Sequence, residues 1–140
     1  MTAVVSHENE LLLNTVQCFL NDEIYPHEDA VDRSGEVPLE LGRQIEARAK
    51  QVGLFAANLP EDVGGGGLNY TSSAIVEREY GKTTHALQSW IARPTELLLA
   101  CEGDQIARYL DPCVTGEKRE LFALTEPEAG SDVMGMKTNA

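Results

Sequence analysis

The chain has 140 residues, 42% of them hydrophobic, and a formal net charge of −12. That length fits one modest domain able to bury a real core, and the apolar content argues against disorder. The acidity argues against nucleic acid and against an anionic membrane surface, which both call for a basic face, but it leaves room for an anionic small ligand held by backbone N–H groups and hydroxyls.

From Glu8 to Ile24, the residues Leu12, Val16, Phe19, Leu20 and Ile24 recur at helical spacing. Ser6 suits the N-cap, and Pro26 is expected to end the helix. Gly35 marks a loop. A second helix is predicted from Pro38 through Leu41, Ile45, Ala49 and Val52, with Gly53 as its C-cap. Residues 53–69 read as an ordered loop broken by Pro60 and the run Gly64 to Gly67. A third helix is predicted over 70–80, capped from Thr71 to Ser73 and ended by Gly81. A fourth covers 84–92. A fifth starts at Pro94 and reaches Cys101, and a sixth, capped by Asp104, runs through Ile106 and Leu110 to a stop at Pro112.

From Leu121 the character changes. Leu121 to Thr125 is a short strand-like run, Pro127 to Asp132 a loop, and Met136 to Ala140 the start of a second strand. The pattern therefore predicts a mainly α chain: a helical domain over 1–120, with the first edge of a β domain over 121–140.

Three cysteines, Cys18, Cys101 and Cys113, stand at no metal-like or redox-like spacing, so reduced thiols are expected. No apolar run is long enough for a bilayer, and the first residues resemble neither a secretory nor a mitochondrial leader. A cytoplasmic protein is expected. The histidines, His7, His27 and His85, lie beside no recognisable nucleophile. The glycine run has neither the Lys-Ser/Thr of a P-loop nor a preceding strand, which favours a tight structural turn. Trp90 reads as a core residue.

The chemistry concentrates in Leu121 to Asp132. A strand ends in Thr125, Pro127 turns the chain, and Ala129, Gly130 and Ser131 leave backbone N–H groups unobstructed. Small residues with free N–H groups and a hydroxyl suit an anionic oxygen. On physical grounds alone an ordinary polar turn is the simpler reading. A calcium loop is disfavoured, since Glu126, Glu128 and Asp132 lack the alternation of an EF-hand.

The run Thr125-Glu126-Pro127-x-Ala129-Gly130-Ser131-Asp132 resembles the signature of the acyl-CoA dehydrogenase family. Leu59-Pro60-Glu61 followed by Gly64 to Gly67 and Leu68 is similar to the family's glycine loop. Tyr109-Leu110 followed by Thr115-Gly116-Glu117-Lys118, and later Lys137-Thr138, resemble the stretches that flank the signature. The resemblance implies a helical domain followed by a truncated β-barrel domain, with FAD as cofactor. It also implies an acyl-CoA substrate oxidised between its α and β carbons. Phe122, Leu124, Thr125, Gly130 and Ser131 would then contact the flavin, and Ser131 the CoA arm as well. Phe122 stands where many members carry Tyr, which removes any hydroxyl contact there. The family's catalytic base lies downstream of Ala140, so no catalytic residue is assigned and the chain is expected to be inactive alone. A homo-oligomer (a tetramer in the family), a complementary longer chain and electron-transfer flavoprotein are the implied partners. The alternative is a non-catalytic helical subunit. An acyl-CoA oxidase or nitroalkane-oxidising relative is also compatible, although the intact Thr-Glu-Pro leans towards a dehydrogenase.

Overall fold

The computed structural model describes residues 6–138. Helix α1, His7–Phe19, starts at Ser6, whose hydroxyl accepts from the Asn9 N–H at 3.3 Å. The chain does not stop at Pro26. It runs through a π-turn, Leu20–Ile24, straight into α2, Tyr25–Ser34. In the π-turn the Tyr25 N–H reaches back five residues to the Leu20 carbonyl. Pro26 then occupies the first turn of α2, where its missing N–H costs nothing. The same device recurs at the other expected stop. The segment Ile106–Leu110 is a π-turn closed by the Asp111 N–H on the Ile106 carbonyl, and Pro112 opens α6, Asp111–Thr115.

Helix α3, Leu39–Gln51, ends as its glycine predicts. Gly53 takes φ +74°, and the Leu54 N–H returns to the Ala49 carbonyl at 2.9 Å. Helix α4, Tyr70–Tyr80, is capped by the Asn69 side chain, which accepts from the Ser72 N–H at 3.0 Å; Thr71 to Ser73 already lie inside the helix. The predicted fourth helix shrinks to α5, His85–Gln88, plus a 3-10 turn, Ser89–Ile91. The fifth is a 3-10 turn, Glu96–Ala100, begun by Thr95.

The core lies where the apolar faces meet. Helix α1 packs on α4, the π-turn 20–24 on α2 and α3, and α3 on the 89–91 turn. Val16, Leu20, Ile24, Ile45, Leu59, Tyr80, Leu87 and Ile91 are fully buried there. One carboxylate joins them. Glu79 is 1% exposed and is held by Lys82 at 2.5 Å, Arg78 at 2.9 Å and the Gln17 amide at 3.3 Å, which ties α4 to α1. These bonds, the Lys82 bond foremost, outweigh the cost of burial and hold the carboxyl down to about 2.

The glycine run is a folded knot. Its four N–H groups return to the carbonyls of Glu61, Pro60, Ala56 and Leu59. A Cβ on Gly65 would stand 2.2 Å from the Leu59 carbonyl oxygen. With their amides spent internally, these glycines have none left for a phosphate, as the structural reading predicts. The knot joins the body through the Ala56 N–H, which donates to the Ala92 carbonyl at 3.1 Å. Ala56 and Ala92 are the non-glycine residues at positive φ among those described.

The strand expectation is not met. Among the described residues there is no strand, only an isolated bridge between Glu126 and Ala129. A strand exists by pairing, and the 121–125 run has no neighbour to pair with. Residues 136–138 are likewise irregular, and the rest of that second expected strand lies outside the described residues.

Candidate functional site

The segment that leads into 121–132 is anchored tightly. The Lys118 N–H donates to the Pro112 carbonyl at 2.9 Å, and the Lys118 ammonium donates to the Arg108 carbonyl at 3.0 Å. Arg119 stacks over the Trp90 ring at 4.1 Å and donates to Glu46 at 2.8 Å. Trp90 in turn lies flat on Gly42 of α3, where a Cβ would come within 2.1 Å of its ring. Burial pulls the Glu46 carboxyl up, but hydrogen bonds from Lys50 and Arg119 leave it below the usual carboxylate range. Glu120 accepts from the Thr95 N–H at 2.5 Å.

Beyond this clamp the 121–132 segment leaves the helical body. Leu121 is 96% exposed and Phe122 81%. Thr125, Gly130 and Ser131 are exposed, and Leu124 is half-buried. The turn itself is closed: the Glu126 N–H donates to the Ala129 carbonyl at 3.0 Å, the Ala129 N–H returns at 3.2 Å, and Ala129 is buried. The Glu126 carboxylate accepts from the N–H groups of Thr138 at 2.9 Å and Lys137 at 3.0 Å, which hold it below its usual range. Glu128 pairs with the Lys137 ammonium at 2.5 Å. These bonds run through Glu126 and Glu128 and leave the Thr125 and Ser131 hydroxyls unengaged by other described residues. A Cβ built on Gly130 meets nothing within 4 Å. An aromatic face, two hydroxyls and an open glycine are thus presented outward on one short stretch.

Beside the clamp lies a cleft of about 340 Å³. Arg93, Lys118, Arg119 and His85 line it, with Glu120 as its one carboxylate. Cys113, a buried residue, also lines it. Burial raises the Cys113 thiol, Glu120 raises it further and Lys118 opposes them. Neither the cleft nor the Gly42–Trp90–Arg119 stack was legible from motifs. The members of the stack lie up to 77 positions apart, from Gly42 to Arg119, and only the presence of a lone Trp hinted at them.

Residues 6–117 match the family described as acyl-CoA dehydrogenase, N-terminal domain. The chain belongs to the acyl-CoA dehydrogenase family. It is 34% identical over 141 residues to the caffeyl-CoA reductase-Etf complex subunit CarC of Acetobacterium woodii, covering 96% of this chain and 36% of that protein. It is 32% identical to the mitochondrial long-chain specific acyl-CoA dehydrogenase of Sus scrofa, covering 98% of this chain and 32% of that one. A solved acyl-CoA dehydrogenase from Bacillus anthracis, complexed with FAD, superimposes with a TM-score of 0.78 at 27% identity, covering 98% of this chain and 24% of that chain. The chain spans about a third of the length of the curated relatives it matches. No helix among the described residues is long and apolar enough to cross a membrane.

Proposed function

We propose that this chain is the helical domain, 1–120, and the opening of the β domain, 121–140, of an FAD-dependent oxidoreductase acting on the CH–CH bond of an acyl-CoA thioester. The observation that carries the reading is the outward display of Phe122, Thr125, Gly130 and Ser131 on a turn that matches the family signature. Those groups fit a flavin: the aromatic face is open, the hydroxyls are unengaged, and Gly130 leaves room for close approach. FAD, when bound, supplies the hydride acceptor.

The remaining roles belong to this chain's own residues. Phe122 would cover part of the ring and exclude water from it. Leu124 would contribute its backbone groups. The Thr125 hydroxyl would donate to the pyrimidine end and favour negative charge there. Gly130 would let cofactor and substrate approach each other, and Ser131 would bond the CoA arm. Glu126 does not serve as the base in this reading, because its carboxylate is occupied in holding Lys137 and Thr138. By the family resemblance the base would lie downstream of Ala140.

Relatives named as reductases and as dehydrogenases support a reaction between a saturated and an α,β-unsaturated thioester, run in either direction. The Etf complex to which one relative belongs favours electron-transfer flavoprotein as the redox partner. The test is a preparation in which this chain is continued by, or co-expressed with, the β and C-terminal domains of its family. It should retain flavin through gel filtration, and the flavin should bleach with an acyl-CoA. An assembled protein that holds no flavin overturns the proposal. The 140-residue chain by itself should show no turnover with acyl-CoA and a dye acceptor. A second reading, a non-catalytic subunit docking on a longer chain, is favoured by the exposure of Leu121, Phe122 and Met134 at 96%, 81% and 94%. A stable flavin-free complex with such a chain would select it.

A further inference from the structure

The charge of the cleft runs against that of the chain. Acidic residues outnumber basic ones by 23 to 11, yet Arg93, Lys118 and Arg119 line this cleft against Glu120 alone. Each guanidinium is anchored on one side by groups outside the lining and on the other by a lining residue, Gln88 for Arg93 and the Ser89 carbonyl for Arg119. Arg119 is held by Glu46 and by the Trp90 face, and neither residue lines the cleft. Arg93 pairs with Glu77, which lines a separate small cavity, and it stands 5.4 Å over the Tyr80 ring. Its other nitrogen donates at 2.9 Å to Gln88, whose amide is fixed in turn on the Tyr80 carbonyl. Lys118 pairs with no carboxylate among the described residues; its ammonium donates to a backbone carbonyl. Glu120 is engaged at Thr95. The cations are therefore held in place by bonds that use part of their donor capacity, which lowers the ordering cost of taking one more acceptor. Ala92, Pro94 and Cys113 supply an apolar wall between them.

We propose that this cleft is a binding site for a carboxylate carried on a short apolar body. The volume, about 340 Å³, is that of a small-ligand site. Its extension to the substrate rests on the flavin reading above: the acyl group taken would be one that ends in a carboxylate. The anion site itself needs only the helical body.

The test is a titration of the ¹⁵N-labelled chain with pentanoate, pentanamide and inorganic phosphate at fixed ionic strength, followed by amide shifts. Pentanoate should move residues 85–94 and 118–120 saturably. The neutral amide and phosphate should each bind at least about tenfold more weakly, because one lacks the charge and the other the apolar body. Lys118→Glu should weaken pentanoate about tenfold and lower the melting temperature by no more than a few degrees, since Lys118 is exposed and its side chain gives up one bond to a backbone carbonyl. No saturable shift at these residues, or equal binding of pentanamide or phosphate, overturns the site. In the assembled flavoprotein, a thioester ending in a carboxylate should be preferred over the methyl-ended analogue of equal length. The reverse preference, with pentanoate still bound by the chain, removes the extension to substrate. Absence of flavin removes the functional reading and leaves the anion site standing.

Discussion

Glu79 is the one charged side chain buried among the described residues, and replacing it with Gln tests what it contributes. In the folded chain the carboxyl is held down to about 2 from an ordinary value of 4.5. At about 1.36 kcal/mol per unit, that difference corresponds to roughly 3.4 kcal/mol of stability at neutral pH. Arg78 and Lys82 are 64% and 51% exposed, so solvent screens part of the interaction and about 2 to 3 kcal/mol is the expected effect. Because the folded value is depressed, the contribution is complete above about 4.5 and is lost as pH falls towards about 2. By pH 3.5 roughly 1.4 kcal/mol of the unscreened figure has gone. The assay is urea unfolding followed by far-ultraviolet circular dichroism, wild type against Glu79→Gln, at pH 7, 5, 4 and 3.5. The variant should be less stable by about 2 to 3 kcal/mol at pH 7 and pH 5, and the gap should narrow at pH 4 and again at 3.5. A variant as stable as wild type at pH 7, or a gap constant down to pH 3.5, would refute the reasoning.

Gly65→Ala should cost about 2 to 3 kcal/mol in thermal unfolding, because its Cβ would meet the Leu59 carbonyl oxygen at 2.2 Å, whereas Gly130→Ala should stay within about 0.5 kcal/mol of wild type. Gly42→Ala would stabilise α3 by about 1 kcal/mol on helix propensity alone. Its overlap with Trp90 reverses the sign, so a net loss of about 1 to 3 kcal/mol and a red shift in the emission of this lone tryptophan are expected. Tyr80→Phe removes a buried hydroxyl with no partner among the described residues, so stability should hold or rise by up to about 1 kcal/mol. A clear loss would instead mean that a water bridges that hydroxyl to Asn58 Oδ1, since both residues line a cavity of about 20 Å³.

The two proline stops that the sequence misjudged fail for one reason. Pro26 and Pro112 were read as stops because proline lacks an N–H and crowds the preceding turn. In each case a π-turn comes first, widens the spiral by one residue and sets the proline in a fresh first turn. Nothing in the periodicity of Leu20 to Ile24 announces that extra residue, because the apolar face stays continuous through it. The strand at 121–125 fails differently: its pattern is sound, but a ladder needs a second strand, and none is present among the described residues.

Local chemistry was legible in the residues themselves. The Ser6 cap, the αL turn at Gly53, the apolar face of α1 and the closed glycine knot are each decided within a few neighbours, so the sequence determines them. The signature residues that single out the family are local in the same sense. Tertiary structure alone decided what lies against them. It set Trp90 on Gly42 and beneath Arg119, buried Glu79 between α4 and α1, and gathered three cations around one cleft in an acidic chain. Those arrangements join residues separated by tens of positions. They follow from how the helices cross and not from any spacing along the chain.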